Sequence, residues 1–251
     1  MLNSKETHEI VRARYGEMAK AGSSCCGDSS CSPSMTELGY SAEQAATLPE
    51  GANLGLGCGN PLAYAEIKPG ETVLDLGSGA GIDAFLAARE VGPDGRVIGV
   101  DMTEAMIDRA RDNAAKGNFT NVEFRLGQIE HLPVNDASVD VIISNCVINL
   151  SPEKDRVFRE AFRVLKPGGR VLVSDLVWLS PPSMEVRESV EALVGCVAGA
   201  SLKEDYLALL REAGFADVEV AAQSSYAGDS CCGGDAGQSV VSVKVRGLKR
   251  R

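Results

Sequence analysis

Short apolar runs alternate along the chain with stretches whose apolar positions recur at helical spacing. Residues 4–20 read as a helix through Ile10, Val11, Arg14 and Met18. A capping-box pattern from Ser41 to Gln44 opens a short helix that Pro49 and Gly51 end. The run 72–76 predicts a buried strand, followed by a glycine-rich turn and a helix on Ile82, Phe85 and Leu86 that lasts to about Glu90. A second strand over 96–100 ends on Asp101. Thr103 then caps a helix carrying Ala105, Met106, Ile107 and Ala110, stopped by Gly117. Strands follow over 121–126 and 139–144. Ser151 as cap and Pro152 at the first helical position predict a helix on Val157, Phe158, Phe162 and Leu165, closed by Pro167, Gly168 and Gly169. A fifth strand covers 170–175, helical segments cover 184–194 and 203–213, and strands over 217–222 and 239–246 are expected to pair as an antiparallel edge.

Strands alternating with helices imply parallel crossovers, hence an α/β fold with a doubly wound, mostly parallel seven-stranded sheet. An N-terminal helical cap and an insertion after the fifth strand complete it. The division expected is a cap with a cysteine-rich loop over 1–60 and a main domain over 61–251, with the insertion at about 180–215. A chain of 251 residues is long enough for such a core, and 44% hydrophobic with 24% charged residues is an ordinary globular composition.

A formal net charge of −10 argues against a nucleic-acid partner, which would require clustered Lys and Arg. No apolar run is long enough for a bilayer, and Lys5, Glu6 and Glu9 make the first helix unlike a signal peptide. A cytoplasmic, monomeric protein without membrane partners is expected.

The turn after the first strand carries Gly77, Gly79 and Gly81, but Ile82 stands where the dinucleotide fingerprint requires a fourth-spaced glycine. Asp75 and Asp83 flank it. Two carboxylates are poor neighbours for a pyrophosphate and good ones for a cationic sulfonium bearing an α-ammonium group. Asp101, closing the second strand, is placed to accept from both hydroxyls of a ribose. A dinucleotide site is the weaker alternative.

The string VLDLGSGAG over 73–81 resembles the first motif of the class I S-adenosylmethionine-dependent methyltransferases. Asp101 is similar to that family's ribose-binding acid, Gln128 and Ile129 to the pair flanking the adenine, and Asn145 to the cofactor-facing loop. Many relatives carry Asp where Gln128 stands. The resemblance, over roughly 70–180, implies S-adenosylmethionine as cofactor. It implies Asp75, Gly77, Ser78, Gly79, Asp83, Asp101, Met102, Gln128, Ile129 and Asn145 as the residues that bind it.

Eight cysteines with two histidines and no C-x-x-C pair support neither a disulfide framework in a reducing compartment nor a zinc site. They suggest a soft, thiophilic ligand. A lone buried cysteine is an ordinary core residue. Taken together three are harder to dismiss: Cys58 lies in a glycine-rich approach that could not bury it as a core thiol, Cys146 follows the fourth strand at the carboxyl edge of the sheet, and Cys196 lies in the insertion that should cover the same edge. Their contexts, GCGNP over 57–61, SNCVINL over 144–150 and GCVAGA over 195–200, resemble those of arsenite S-adenosylmethionine methyltransferases.

That resemblance implies that Cys58, Cys146 and Cys196 bind As(III), delivered free or as a thiol conjugate, and present it to the sulfonium methyl. Methylation formally oxidises the arsenic, so thiols must restore the trivalent state: protein cysteines could form a transient disulfide, with glutathione or thioredoxin as final reductant. Cys25, Cys26, Cys31, Cys231 and Cys232 could capture the ion and pass it on, or belong to solvated loops. A quinone-type C-methyltransferase is a rival, although the chain is only 5% aromatic. A non-enzymatic metalloid-binding protein is another.

Overall fold

The computed structural model describes residues 3–21, 34–226 and 239–251. In chain order the elements are α1 (Ser4–Ala21), α2 (Ala42–Ala46), β1 (Thr72–Leu76), α3 (Ile82–Val91), β2 (Arg96–Asp101), α4 (Glu104–Lys116) and β3 (Val122–Leu126). Then come β4 (Val139–Asn145), α5 (Lys154–Val164), β5 (Leu165–Trp178), α6 (Met184–Glu188), α7 (Val190–Val194), α8 (Lys203–Glu212), β6 (Ala216–Ser225) and β7 (Val240–Leu248). The strands form one seven-stranded sheet in the order β3-β2-β1-β4-β5-β7-β6. β3 through β5 run parallel, and β7 pairs antiparallel with both β5 and β6. The expected fold is therefore present, including the late antiparallel pair.

Strands covered on both faces are apolar throughout, and β1 obeys this from Val73 to Leu76 apart from the buried Asp75. The edge strand β6 instead alternates half-buried and exposed positions along most of its length. One layer of core joins the sheet to α5 and α8 through Val157, Phe158, Ala161, Tyr206 and Leu210. The other joins it to α3 and α4 through Ala84, Phe85, Ala88, Ile107 and Ala110. The rings of Phe158 and Tyr206 meet edge to face at 5.4 Å. α1 reaches the sheet edge through Val11, which packs with Leu150, Trp178 and Cys196, and through Met18, which packs with Leu54 and Met106. No helix among the described residues is long and apolar enough to cross a membrane.

Several local expectations need correction. The fifth helix does not begin at Ser151 and Pro152 but at Lys154, with Glu153 at its cap position. Ser151 is already engaged: it ends a 3-10 turn over Ile148–Leu150, its hydroxyl bonds the buried Glu130 carboxylate, and it accepts from the Glu153 amide at 3.1 Å. Leu165, Lys166, Pro167, Gly168 and Gly169 do not merely close that helix; they are the first residues of β5, and Gly168 and Gly169 bond back to Lys249. The helical stretch 184–194 is two short helices broken at Ser189, whose side chain caps the second. Thr103 stands at the cap of α4 without a capping side-chain bond. The capping box at Ser41 and Gln44 is formed as expected.

Phe158 is fully buried and fills the space between α5, α8 and the sheet. Phe158→Ala is expected to lower unfolding stability by about 3–5 kcal/mol, read from the urea midpoint at unchanged m-value.

Candidate active site

A cavity of about 660 Å³ opens where β1, β2 and β4 end at their carboxyl edge. This is the edge at which open α/β sheets bind ligands. One side of it is the turn after β1. Gly77 and Ser78 donate their amides to the Val100 carbonyl at 2.7 and 3.0 Å, which folds the turn over the end of β2. Gly77 has φ +65° and a Cβ there would lie 2.3 Å from Val147, so neither the conformation nor the space admits a side chain. At Gly79, φ is +51° and a Cβ would meet nothing within 4 Å. The backbone there faces open space a ligand can enter.

Three carboxylates line this side. Asp75 and Asp83 are buried, and Asp101 accepts from the Gly79 amide at 3.0 Å and the Thr103 amide at 2.8 Å. Asp83 accepts from the Tyr40 hydroxyl at 2.7 Å and from Asn145 Nδ2 at 3.1 Å. Burial raises the pKa of all three. For Asp75, burial is reinforced by the charges of Asp83 and Asp101, which hold it well above the usual range. Asp83 is pushed up to about 6 by burial, which its bonds to Tyr40 and Asn145 only partly offset. Crowded carboxylates short of counter-charge make a site for a cation.

The other side carries sulfur. Cys58, Cys146 and Cys196 come from three separate segments, line the same cavity and pack into one apolar cluster. Cys58 and Cys146 form a disulfide with Cα atoms 5.7 Å apart, where no disulfide framework was expected. Cys196 is buried and its Sγ donates to the Cys146 carbonyl at 2.8 Å. Cys146 has φ +58° and Cys196 φ +64°. Left-handed backbone is unfavourable for a residue with a Cβ, and such residues gather at functional sites. The approach to Cys58 is pinned as well. Its amide donates to Asn145 Oδ1 at 3.1 Å, and its carbonyl accepts from the Ser242 hydroxyl at 2.9 Å.

The structure brings together almost every residue singled out in the sequence. Asp75, Gly77, Ser78, Gly79, Asp83, Asp101, Met102, Ile129, Asn145 and the three cysteines all line the cavity. Gln128 is not among its walls; its Nε2 lies 3.5 Å from His8 Nδ1 instead. Cys25, Cys26, Cys31, Cys231 and Cys232 lie outside the described residues.

Other groups were not foreseen. His8 on α1 bonds Glu130 at 2.9 Å and closes one end of the cavity. Tyr40 belongs to a stretch with no motif. Asp175 on β5 lies with the Sγ atoms of Cys58 and Cys146 in a group whose ligand atoms are all within 4.8 Å of one another. Burial pushes its carboxyl up to about 7. A carboxylate inside the apolar run 170–178 was the available signal for it.

A family model for a methyltransferase domain matches residues 67–214, more than half of the chain. Fold and match define the class: this is an S-adenosylmethionine-dependent methyltransferase fold, and S-adenosylmethionine is its cofactor. The curated relatives narrow the class. Arsenite methyltransferase of Halobacterium salinarum is 52% identical over 98% of this chain and 67% of its own length. That of Aquipseudomonas alcaligenes is 41% identical over 84% of this chain and 62% of its own. The crystal structure of CrArsM, an arsenic(III) S-adenosylmethionine methyltransferase from Chlamydomonas reinhardtii, superposes with a TM-score of 0.67 at 32% identity. It covers 96% of this chain and 73% of that one. The chain belongs to the arsenite methyltransferase family. It spans about two thirds of the length of these curated relatives.

Two predictions follow from the geometry. A cation stabilises ionised carboxylates, so its binding beside Asp75 and Asp83 expels protons where those groups are still protonated. S-adenosylmethionine affinity should therefore rise with pH between about 5 and 7. Calorimetry in two buffers of different ionisation heat measures the release, and zero protons near pH 6 would mean that these acids do not meet the cation. At Cys196, glycine should be more stable than alanine by about 1 kcal/mol, the reverse of the usual order, because it relieves the left-handed strain. Thermal unfolding of C196G and C196A decides it.

Proposed function

We propose that this chain transfers the methyl group of S-adenosylmethionine to trivalent arsenic held by Cys58, Cys146 and Cys196. The observation that carries this reading is the convergence of three cysteines, two of them in left-handed backbone, on the cavity that also holds the acid cluster. Trivalent arsenic is soft and takes three sulfurs in a pyramid, with its lone pair opposite them. In this reading Asp75 and Asp83 face the cationic end of the cofactor. Asp101 takes the ribose hydroxyls, and Met102 and Ile129 flank the adenine. Gln128, with its Nε2 3.5 Å from His8 Nδ1, stands beside Ile129 as the second residue expected at the adenine.

The cofactor supplies an electrophilic methyl group. The protein's share is to hold the acceptor in line and exclude water, a contribution of roughly 7–11 kcal/mol at best. No general base is needed, because a lone pair carries no proton to remove. The Cys58–Cys146 disulfide is the form that must be opened before both thiolates can bind arsenic. Glutathione or thioredoxin serves as reductant, and the protein works as a cytoplasmic monomer.

The reading is tested by supplying arsenite, S-adenosylmethionine and a thiol reductant and speciating the arsenic. Methylated arsenic is expected from the wild type, and its absence with cofactor bound would sink the reading. Serine at Cys146 or Cys196 is expected to abolish the product while leaving cofactor affinity unchanged; full activity in either breaks the three-thiolate arrangement.

A further inference from the structure

Asp175 is a buried acid that the methyl transfer, as described, does not use. It lies on β5 opposite Val243 of β7 and has no exposed surface. One carboxylate oxygen accepts from the Tyr206 hydroxyl at 2.8 Å. The other makes no side-chain hydrogen bond among the described residues, and the Leu176 amide only partly offsets its burial. A buried carboxylate with an empty acceptor position is costly. Its cationic neighbour, Lys154, bonds its ammonium to the Ser151 carbonyl at 2.9 Å and acts on Asp175 through space. What Asp175 does have within 4.8 Å are the sulfurs of Cys58 and Cys146.

We propose that Asp175 is an electrostatic residue of the methyl-transfer step, its carboxylate stabilising the positive charge that passes to the arsenic side of the cavity. This rests on the arsenite reading above. The charge balance gives such a group a part to play. Arsenic(III) bound to three thiolates is neutral overall, whereas the methyl donor is a sulfonium. The arsenic lone pair forms the As–C bond, and the electron pair of the breaking C–S bond stays on the donor sulfur, which becomes a neutral thioether. Arsenic is oxidised from the trivalent to the pentavalent state, and the positive charge leaves the sulfonium for the arsenic and its sulfurs.

At the start of the reaction the charge sits beside Asp75 and Asp83. At its end it sits on the sulfur side, where Asp175 is the carboxylate grouped with Cys58 and Cys146. A hard carboxylate is a poor fourth ligand for soft arsenic, so its part is the field it provides. From a carboxylate buried away from solvent that field is strong, and being already in place it needs no reorganisation as the charge arrives.

Asp175→Asn keeps an acceptor for Tyr206 and removes only the charge. With reduced enzyme, the expected result is arsenite affinity close to wild type and a single-turnover methyl transfer slower by about 100-fold. Tyr206→Phe keeps the carboxyl but removes a hydrogen bond that favours its ionised form, so it should transfer at close to the wild-type rate at about pH 9 and more slowly near neutrality.

A second readout needs no turnover. Iodoacetate and iodoacetamide both attack a thiolate, but only iodoacetate is repelled by a neighbouring carboxylate. The ratio of their rates at Cys58 and Cys146, read by mass spectrometry, should rise in D175N. Should D175N not fold, the wild-type ratio must lie below that of free glutathione. An unchanged ratio in D175N, a wild-type ratio equal to glutathione's, or a D175N rate close to wild type overturns the proposal. The wild-type arm separates the two readings: no methylated arsenic from wild type overturns the arsenite reading itself, whereas equal rates from wild type and D175N overturn only the role of Asp175.

Discussion

The two halves of the site are held together by one side-chain amide. Asn145, at the end of β4, points its Nδ2 at the Tyr40 hydroxyl, the Gly59 carbonyl and Asp83 at 3.0, 2.7 and 3.1 Å, while its Oδ1 accepts from the Cys58 amide. Asp83 belongs to the acid cluster, Gly59 and Cys58 to the sulfur approach, and Tyr40 to the segment that precedes it. A short planar group with two N–H donors and one acceptor reaches all of them, its two hydrogens shared among three oxygens. The approach loop also passes so close to Asn145 that a Cβ at Gly57 would lie 3.1 Å from Nδ2. The spacing between the acid cluster and the cysteines is thus set by hydrogen bonds to a strand end, which suits the positioning role proposed for them.

Electrostatics divides the cavity in the same way. The acids on the turn side are crowded, desolvated and held above their usual pKa. They are satisfied by a cation, which suits a sulfonium donor. The sulfur side is lined by soft atoms with one buried carboxylate beside them. Strain follows the same division: Gly77 and Gly79 take left-handed backbone at no steric cost, whereas Cys146 and Cys196 take it despite a Cβ. Backbone strain alone would select glycine at either position.

Much of the fold was readable because its signals are local. The apolar run of β1, the glycine turn and the helical period of α3 lie within about twenty residues of one another, and short-range periodicity reports them directly. Errors fell where a side chain that looked like a cap had a distant partner. Ser151 precedes a proline in a pattern typical of a helix start, yet its hydroxyl is taken by Glu130.

By itself the sequence determined the class of fold, the acid pair at the glycine turn and the three cysteine contexts. Those follow from residue types and their spacing along the chain. Only the tertiary structure decided that Cys58 and Cys146 are close enough to bond, that Asn145 joins both halves of the site, and that Asp175 lies with those two sulfurs. These contacts span 88 residues between Cys58 and Cys146 and 87 between Cys58 and Asn145. No local pattern encodes a distance of that kind; it is set by strand order in the sheet, where β4 lies between β1 and β5 and brings their carboxyl ends to one edge.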